Sequence, residues 1–241
     1  MNADKAPLTK GRFLQGGETR EPLENGLFIL QKKKAHRFGM ESVALASFAQ
    51  GYSMRGKVAD FGTGTGILPL LLCARGSKAS FIAVEIDCAM ADMAHRSVLM
   101  NGLEQQIAII QGDLRDLKAR VPANSLDCIL CNPPFFGSEA PLRPDSAQKD
   151  TAKHADDGLL QHICETAKCL LKDGGRIALV YSAPKFLHLA DALRENRLAP
   201  KRICPINRKL LLVDAVKNGG EGLIWINHNT FFLDFDPGKS G

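Results

Sequence analysis

No apolar run in the 241-residue chain approaches the roughly 20 residues that a membrane-spanning helix requires. The opening segment MNADKAPLTKGRFLQGGE has no apolar core of the kind a secretory signal carries, so a cytoplasmic location is the expectation. Cysteine number is odd, at seven, and the residues are scattered through apolar segments, which argues against a disulfide framework. Cys128 and Cys131 form a C-x-x-C, but on a strand residues three apart face opposite sides, roughly 10 Å from each other. They read as reduced core thiols, and no metal site is expected. There is no G-K-[ST] after a glycine loop, which excludes a nucleoside-triphosphate P-loop. Internal repeats and low-complexity tracts are also lacking. Tryptophan occurs once; Trp225, in the apolar stretch GLIWIN, is expected in the core.

What is present is an ordinary globular balance, 45% hydrophobic and 24% charged residues. The net charge of +5 is modest but concentrated in two clusters, Lys32–Arg37 and Arg194–Lys209. Two such clusters flanking a core make a phosphate-backbone footprint plausible. Residues 1–25 read as a flexible leader, 26–236 as one domain and 237–241 as a tail. From Lys57 onward apolar strands alternate with helices: KVADFG, GILPLLLCARG, SFIAVEID, CAMADMAHRSVLMNG, QIAIIQGD, LDCILCN. That alternation predicts a parallel sheet covered on both faces, with ligands outside the carboxyl ends of its strands. The polar stretch Gly137–Asp156 is long enough to be a mobile binding loop. Three late strands, KRICPI, KLLLVDAVKNGG and GLIWIN, have short connections that predict antiparallel pairing.

The strand ends therefore form the functional shortlist. DFGTGTG places Gly62, Gly64 and Gly66 after the first strand, a spacing unlike the G-x-G-x-x-G of dehydrogenases. Small residues there let a ligand approach the backbone, and the next helix N-terminus favours an anionic group. Glu85 ends the second strand, roughly 20 residues on, where an acid can accept hydrogen bonds from both ribose hydroxyls. Asp113 ends the third, suited either to an adenine amino group or to capping the segment LRDLKAR. Asn132-Pro133-Pro134-Phe135-Phe136 ends the fourth. Prolines terminate a strand because they cannot donate to its ladder, and they hold a carbonyl in a stiff segment.

A glycine loop, an acid and a second aspartate at consecutive strand ends resemble the class I S-adenosylmethionine-dependent methyltransferases. The resemblance implies an α/β, Rossmann-like fold with a seven-stranded, mostly parallel sheet, one strand antiparallel, and helices on both faces. It places the methionine part of the cofactor over Gly62, Thr63, Gly64 and Gly66, the ribose on Glu85 with Ile86 beside it, and the adenine near Asp113 and Leu114.

The N-P-P-[YF] motif resembles that of enzymes methylating planar nitrogens: adenine amino, guanine amino or glutamine amide. The stretches LFILQKKKAHRFGMESVALASFA, AKHADDGLLQHICETAKCLLKDGGRIALVY, RLAPKRICPI and LLLVDAVKNGG together resemble the bacterial valine-tRNA adenine-N6 methyltransferase family. The resemblance implies transfer to an adenine amino group in tRNA, with Asn132, Pro133 and Phe135 catalytic and Asn132 also beside the cofactor. Gln31, Arg37 and Phe38 would close the cofactor pocket. Pro134, Phe136, Lys153 and His154 would face the acceptor. S-adenosylhomocysteine would be the product, tRNA the partner through both basic clusters, and the chain a monomer or weak dimer without metal or membrane. Guanine-N2 transfer to ribosomal RNA, glutamine methylation and a non-catalytic RNA-binding module stand as alternatives.

Overall fold

A computed structural model describes residues 13–33, 39–133 and 146–227, with only the helical backbone over 146–157. Arg37, Phe38, Pro134, Phe135 and Phe136 lie outside the described residues, as do the side chains of Lys153 and His154.

The chain opens with an antiparallel hairpin, β1 (Glu18–Pro22) on β2 (Phe28–Lys32). The expected leader, residues 1–25, is therefore structured from Glu18 onward. Helix α1 (Met40–Ala49) follows, and then the alternation: β3 (Lys57–Phe61), α2 (Ile67–Ala74), β4 (Ser80–Glu85), α3 (Cys88–Met100), β5 (Ile107–Gln111) and β6 (Leu126–Cys131). Between β5 and β6 a 3-10 turn covers Leu114–Ala119. The second half of the chain gives α4 (Ser146–Leu170), β7 (Leu171–Ser182), α5 (Phe186–Glu195), β8 (Leu198–Pro205), β9 (Leu210–Lys217) and the two-residue β10 (Ile224–Trp225). Helix α4 thus takes over the polar stretch expected as loop from Ser146 onward, since SAQKDTAKHADD contains no proline or glycine to stop it.

The main sheet runs β10-β8-β9-β7-β6-β3-β4-β5. It has the expected mostly parallel character, with β9 the antiparallel strand against both β7 and β8. An eighth strand is added at the edge, and it pairs with β8 in parallel rather than antiparallel fashion. The reason is topological. One side of β9 is taken by β7 and the other by β8, so the chain leaving β9 must cross beneath β8 to reach a free edge. Ile224 and Trp225 on that edge strand are 63% and 66% exposed, so Trp225 is not the core residue the sequence led us to expect.

Each central strand feeds two cores. Val58, Cys128 and Leu130 pack with α1 and α2, whereas Ala59, Phe61, Ile129 and Cys131 pack with α4 and α5. The C-x-x-C cysteines thus point to opposite layers, and burial raises both thiol pKa values. Both are inert filling.

Candidate functional site

The crevice at the carboxyl ends of β3, β4 and β6 is built from short-range rules. Gly62, Gly64 and Gly66 all hold left-handed φ values, of 71°, 58° and 87°. An L side chain at those angles is strained. The amides of Gly62 and Thr63 both donate to the Val84 carbonyl, at 2.9 Å, which folds the loop back over β4. A β-carbon at Gly62 or Gly64 would meet no protein atom within 4 Å, so the space above them is open to a ligand. Gly66 differs: a β-carbon there would lie 3.4 Å from Ala94, so this glycine seats α2 against α3 rather than lining the crevice.

Glu85 is buried, and its carboxylate accepts from the Gly64 amide at 2.8 Å and the Asp87 amide at 2.9 Å. Each oxygen keeps lone-pair capacity for a hydroxyl. Ile86 beside it is 64% exposed, an apolar surface where a base could lie. Asp113 caps the turn that follows, accepting from the Arg115 amide at 2.8 Å, and its carboxylate is gripped by the Arg115 guanidinium. That pairing lowers its pKa to about 2. The capping role read from sequence is formed. Leu114 packs against the α4–α5 core.

A cavity of about 210 Å³ joins Gln31 and Lys32 at the end of β2, Gly39 and Ser42 at the start of α1, the glycine loop, Met90 and Met93 of α3, and Asn132. The structure therefore brings together Gln31, Gly62, Thr63, Gly64 and Asn132. It keeps Glu85, Ile86, Asp113 and Leu114 at the flank of that cavity rather than in its wall.

Asn132 is half-buried, and its Nδ2 donates to Ser42 Oγ at 3.0 Å. The bond uses one of the two amide N–H groups and leaves Oδ1 able to accept. Pro133, directly after it, has no N–H and is also half-buried.

Two residues escaped the sequence reading. Ser42 is one; a serine in the first turn of a helix carries no distinguishing signal. Asp60 is the other, hidden because it sits within an apolar strand. It is fully buried, with Oδ2 accepting from Thr63 Oγ1 at 2.6 Å. Burial raises its pKa to about 7, the nearby Glu85 carboxylate adding to the rise and the Thr63 hydroxyl opposing it.

Asp60 Oδ1 and Gln31 Oε1 are buried acceptors without a partner. Such orphans are costly unless something fills them. One lines the cavity and the other stands at the root of its glycine loop. They suit a ligand bearing an ammonium or amide donor, and the open space above Gly62 and Gly64 suits one that lies against backbone. The residues present thus fit a sulfonium amino-acid nucleoside. Among the described residues no cluster of His, Cys, Asp or Glu could hold a metal ion, and no helix is long and apolar enough to cross a membrane.

Comparison with known proteins extends this geometry. A profile described as the methyltransferase small domain matches residues 40–198. The chain is 31% identical over 158 residues to the tRNA1(Val) (adenine(37)-N6)-methyltransferase of Photobacterium profundum, covering 63% of each protein. It is 30% identical over 178 residues to the protein of the same name in Porphyromonas gingivalis, covering 71% of this chain and 69% of the relative. The matched part thus spans just under two thirds of the first relative's length. Among solved structures, TrmN from Thermus thermophilus superposes with a TM-score of 0.57 at 23% identity, over 73% of this chain and 48% of that one. A predicted O-methyltransferase of Agrobacterium tumefaciens superposes at 0.61 and 21% identity, over 78% and 86%. The two superpositions show a shared fold.

Proposed function

The chain belongs to the methyltransferase small domain family and to that of the bacterial valine-tRNA adenine-N6 methyltransferases, and from this premise we propose that it methylates the exocyclic amino group of an adenine in tRNA, with S-adenosylmethionine as methyl donor. The observation that carries the reading is Asn132. Asn132 lines the same cavity as the glycine loop, and its side-chain nitrogen bonds to Ser42.

The bound donor supplies an electrophilic methyl group on sulfur. The chain's own task is to make a poor nucleophile competent. The adenine amino nitrogen shares its lone pair with the ring and is planar. Asn132 Oδ1 and the Pro133 carbonyl would each accept one of its N–H bonds, biasing the nitrogen toward pyramidal geometry and aiming its lone pair. The Ser42 hydroxyl would hold the Asn132 amide in place at the cavity. Phe135, two residues beyond Pro133, would stack on the base, a contact worth about 1–3 kcal/mol in nucleic-acid complexes. Gln31 and Thr63 would hold the methionine part against the open backbone of the glycine loop, and Glu85 the ribose. No strong base is required, because the amine becomes acidic as it is methylated, and the proton leaves to solvent. Positioning does most of the work.

Asn132→Ala tests this. We expect transfer to unmodified tRNA to fall by roughly 100-fold or more, as when a single pre-organised polar group is removed from other active sites. S-adenosylhomocysteine binding, measured by calorimetry, should stay within a few-fold of the parent. Unchanged turnover would sink the mechanism. Nucleoside mass spectrometry of tRNA and rRNA from cells lacking the protein tests the substrate: loss of methylguanine with intact N6-methyladenine would move the acceptor to guanine.

A further inference from the structure

We propose that the RNA substrate is held by one basic patch, Arg208 and Lys209, and that Arg194 and Arg197, from the same basic run of sequence, take no part. The proposal rests on the tRNA reading above and assigns its docking surface.

The run Arg194–Lys209 reads as one cluster in sequence, but the fold stretches it across the sheet. Arg194 lies in the last turn of α5 and Arg197 just before β8 begins. Strand β8 is antiparallel to β9, which is antiparallel to β7, so β8 runs parallel to β7, β6 and β3. Its start is therefore at the edge of the sheet away from the crevice, and its end is at the crevice edge. Arg208 and Lys209 occupy the turn after β8 and stand on the same edge as Asn132. In the sheet order, β7 and β9 separate β6 from β8. At about 4.8 Å per strand spacing, the turn lies about 10–14 Å along the edge from Asn132. A chain with one base inserted at Asn132 would lay the phosphates of the flanking nucleotides over that span.

The two ends also differ in what surrounds the cations. At the far edge Lys201 donates to the carbonyls of Gly220 and Glu221, and Lys217 is bound to Asn124 and to the Leu171 carbonyl. Arg202, midway, is committed to the buried Asp214 at 2.5 Å and to the Phe48 carbonyl at 3.0 Å. Arg194 and Arg197 share their groove with Glu221. At the crevice edge the balance is different. Neither Cys204–Leu212 nor Tyr181–Ala190 contains an acid. Arg208 and Lys209 are exposed and, among the described residues, carry no ion pair.

Their turn is also rigid. Asn207 Oδ1 accepts from the Lys209 amide at 2.8 Å and the Leu210 amide at 3.0 Å. The Lys209 carbonyl accepts from the Ala183 amide at 2.8 Å, binding the turn to the segment after β7. Unpaired cations on a pinned turn beside an acceptor site are suited to phosphate contact, because little order is lost on binding.

The test compares two charge-reversed doubles, R208E/K209E and R194E/R197E, on an unmodified tRNA transcript. For R208E/K209E we expect the KM for tRNA to rise roughly tenfold or more, and the salt slope of RNA binding to shrink by about 1.4, two phosphates at about 0.7 each. Turnover at saturating tRNA and S-adenosylhomocysteine affinity should be unchanged. For R194E/R197E we expect a KM within twofold of the parent. An equal or larger rise in R194E/R197E, or no rise in R208E/K209E, would overturn the patch. A parent protein that leaves tRNA unmethylated while binding S-adenosylhomocysteine would overturn the substrate reading beneath it instead.

Discussion

A carboxyl group shut away from water resists ionisation, and Asp60 is shut away by its own loop. Its pKa of about 7, against 3.8 in an unfolded chain, has a consequence for folding. Between pH 4 and 7 the unfolded chain gives up the Asp60 proton while the folded protein keeps it. The unfolded state then binds fewer protons, so this residue makes stability fall as pH rises through that window and leaves it level above pH 7. Asp60→Asn cannot ionise and still accepts from Thr63. In cofactor-free protein the variant should therefore gain on the parent between pH 4.5 and 7.5, by roughly 3 kcal/mol. Urea unfolding at both pH values measures it; a difference that does not change with pH would refute the burial argument. The sequence displayed this aspartate at a strand end, yet three apolar neighbours in VADF made it look like filling. Glu85, after FIAV, was legible because the motif order singled it out. For Asp113 the sequence allowed two roles, and the pairing of its carboxylate with Arg115, which adds to the cap, was not legible in it.

The hairpin of β1 and β2 delivers Gln31 and Lys32 to the cavity, yet it forms no part of the main sheet. Side chains of α3 hold it. Arg96 grips the Glu18 carboxylate with both guanidinium nitrogens, at 2.7 and 2.6 Å, and lowers that carboxyl's pKa. Ser97 Oγ accepts from the Leu30 amide at 3.0 Å, and Asn101 exchanges hydrogen bonds with both backbone groups of Phe28. Arg96→Ala should therefore loosen the hairpin without opening the core. We expect amide exchange to quicken across residues 18–32 while β3, β4 and β6 keep their protection. Cofactor affinity should drop about tenfold, equivalent to about 1.4 kcal/mol. Unaltered exchange in the hairpin would show that β-pairing alone holds it. None of this was visible in ETREP, which is too polar and short to read as a strand. Its anchors stand some 70 residues later, beyond the reach of any local pattern. The misplaced Trp225 has a similar origin. GLIWIN looks like a buried strand, but burial depends on a neighbour beyond the edge, and none is found there among the described residues. The parallel alternation from Lys57 to Cys131 was legible because each strand and helix announces itself through apolar spacing and glycine stops.

Over the whole molecule, charge and chemistry are divided along the crevice edge of the sheet. The β3–β4–β5 half offers the open backbone of the glycine loop and the buried carboxylate of Glu85, in a crevice suited to a small ligand. Among the described residues the β7–β9–β8 half offers cations at that edge, while Asn132 stands between the halves at the end of β6. The two ligands should therefore respond differently to salt. Cofactor binding depends on buried hydrogen bonds and close packing, which ions screen little. RNA binding depends on phosphates whose counterions are released on contact, and a net charge of +5 supports attraction at a distance. With about four phosphates engaged, raising salt from 50 to 200 mM should weaken tRNA binding by roughly 50-fold, from a slope near 0.7 per phosphate. Over the same range the S-adenosylhomocysteine dissociation constant should move less than twofold. Filter binding of tRNA and calorimetry of the cofactor product, run on one preparation, measure both. If the two affinities declined in parallel, the cations of the β7–β9–β8 half would have to act on the cofactor as well. The division of labour along the sheet edge would then be wrong, whichever nucleobase is methylated.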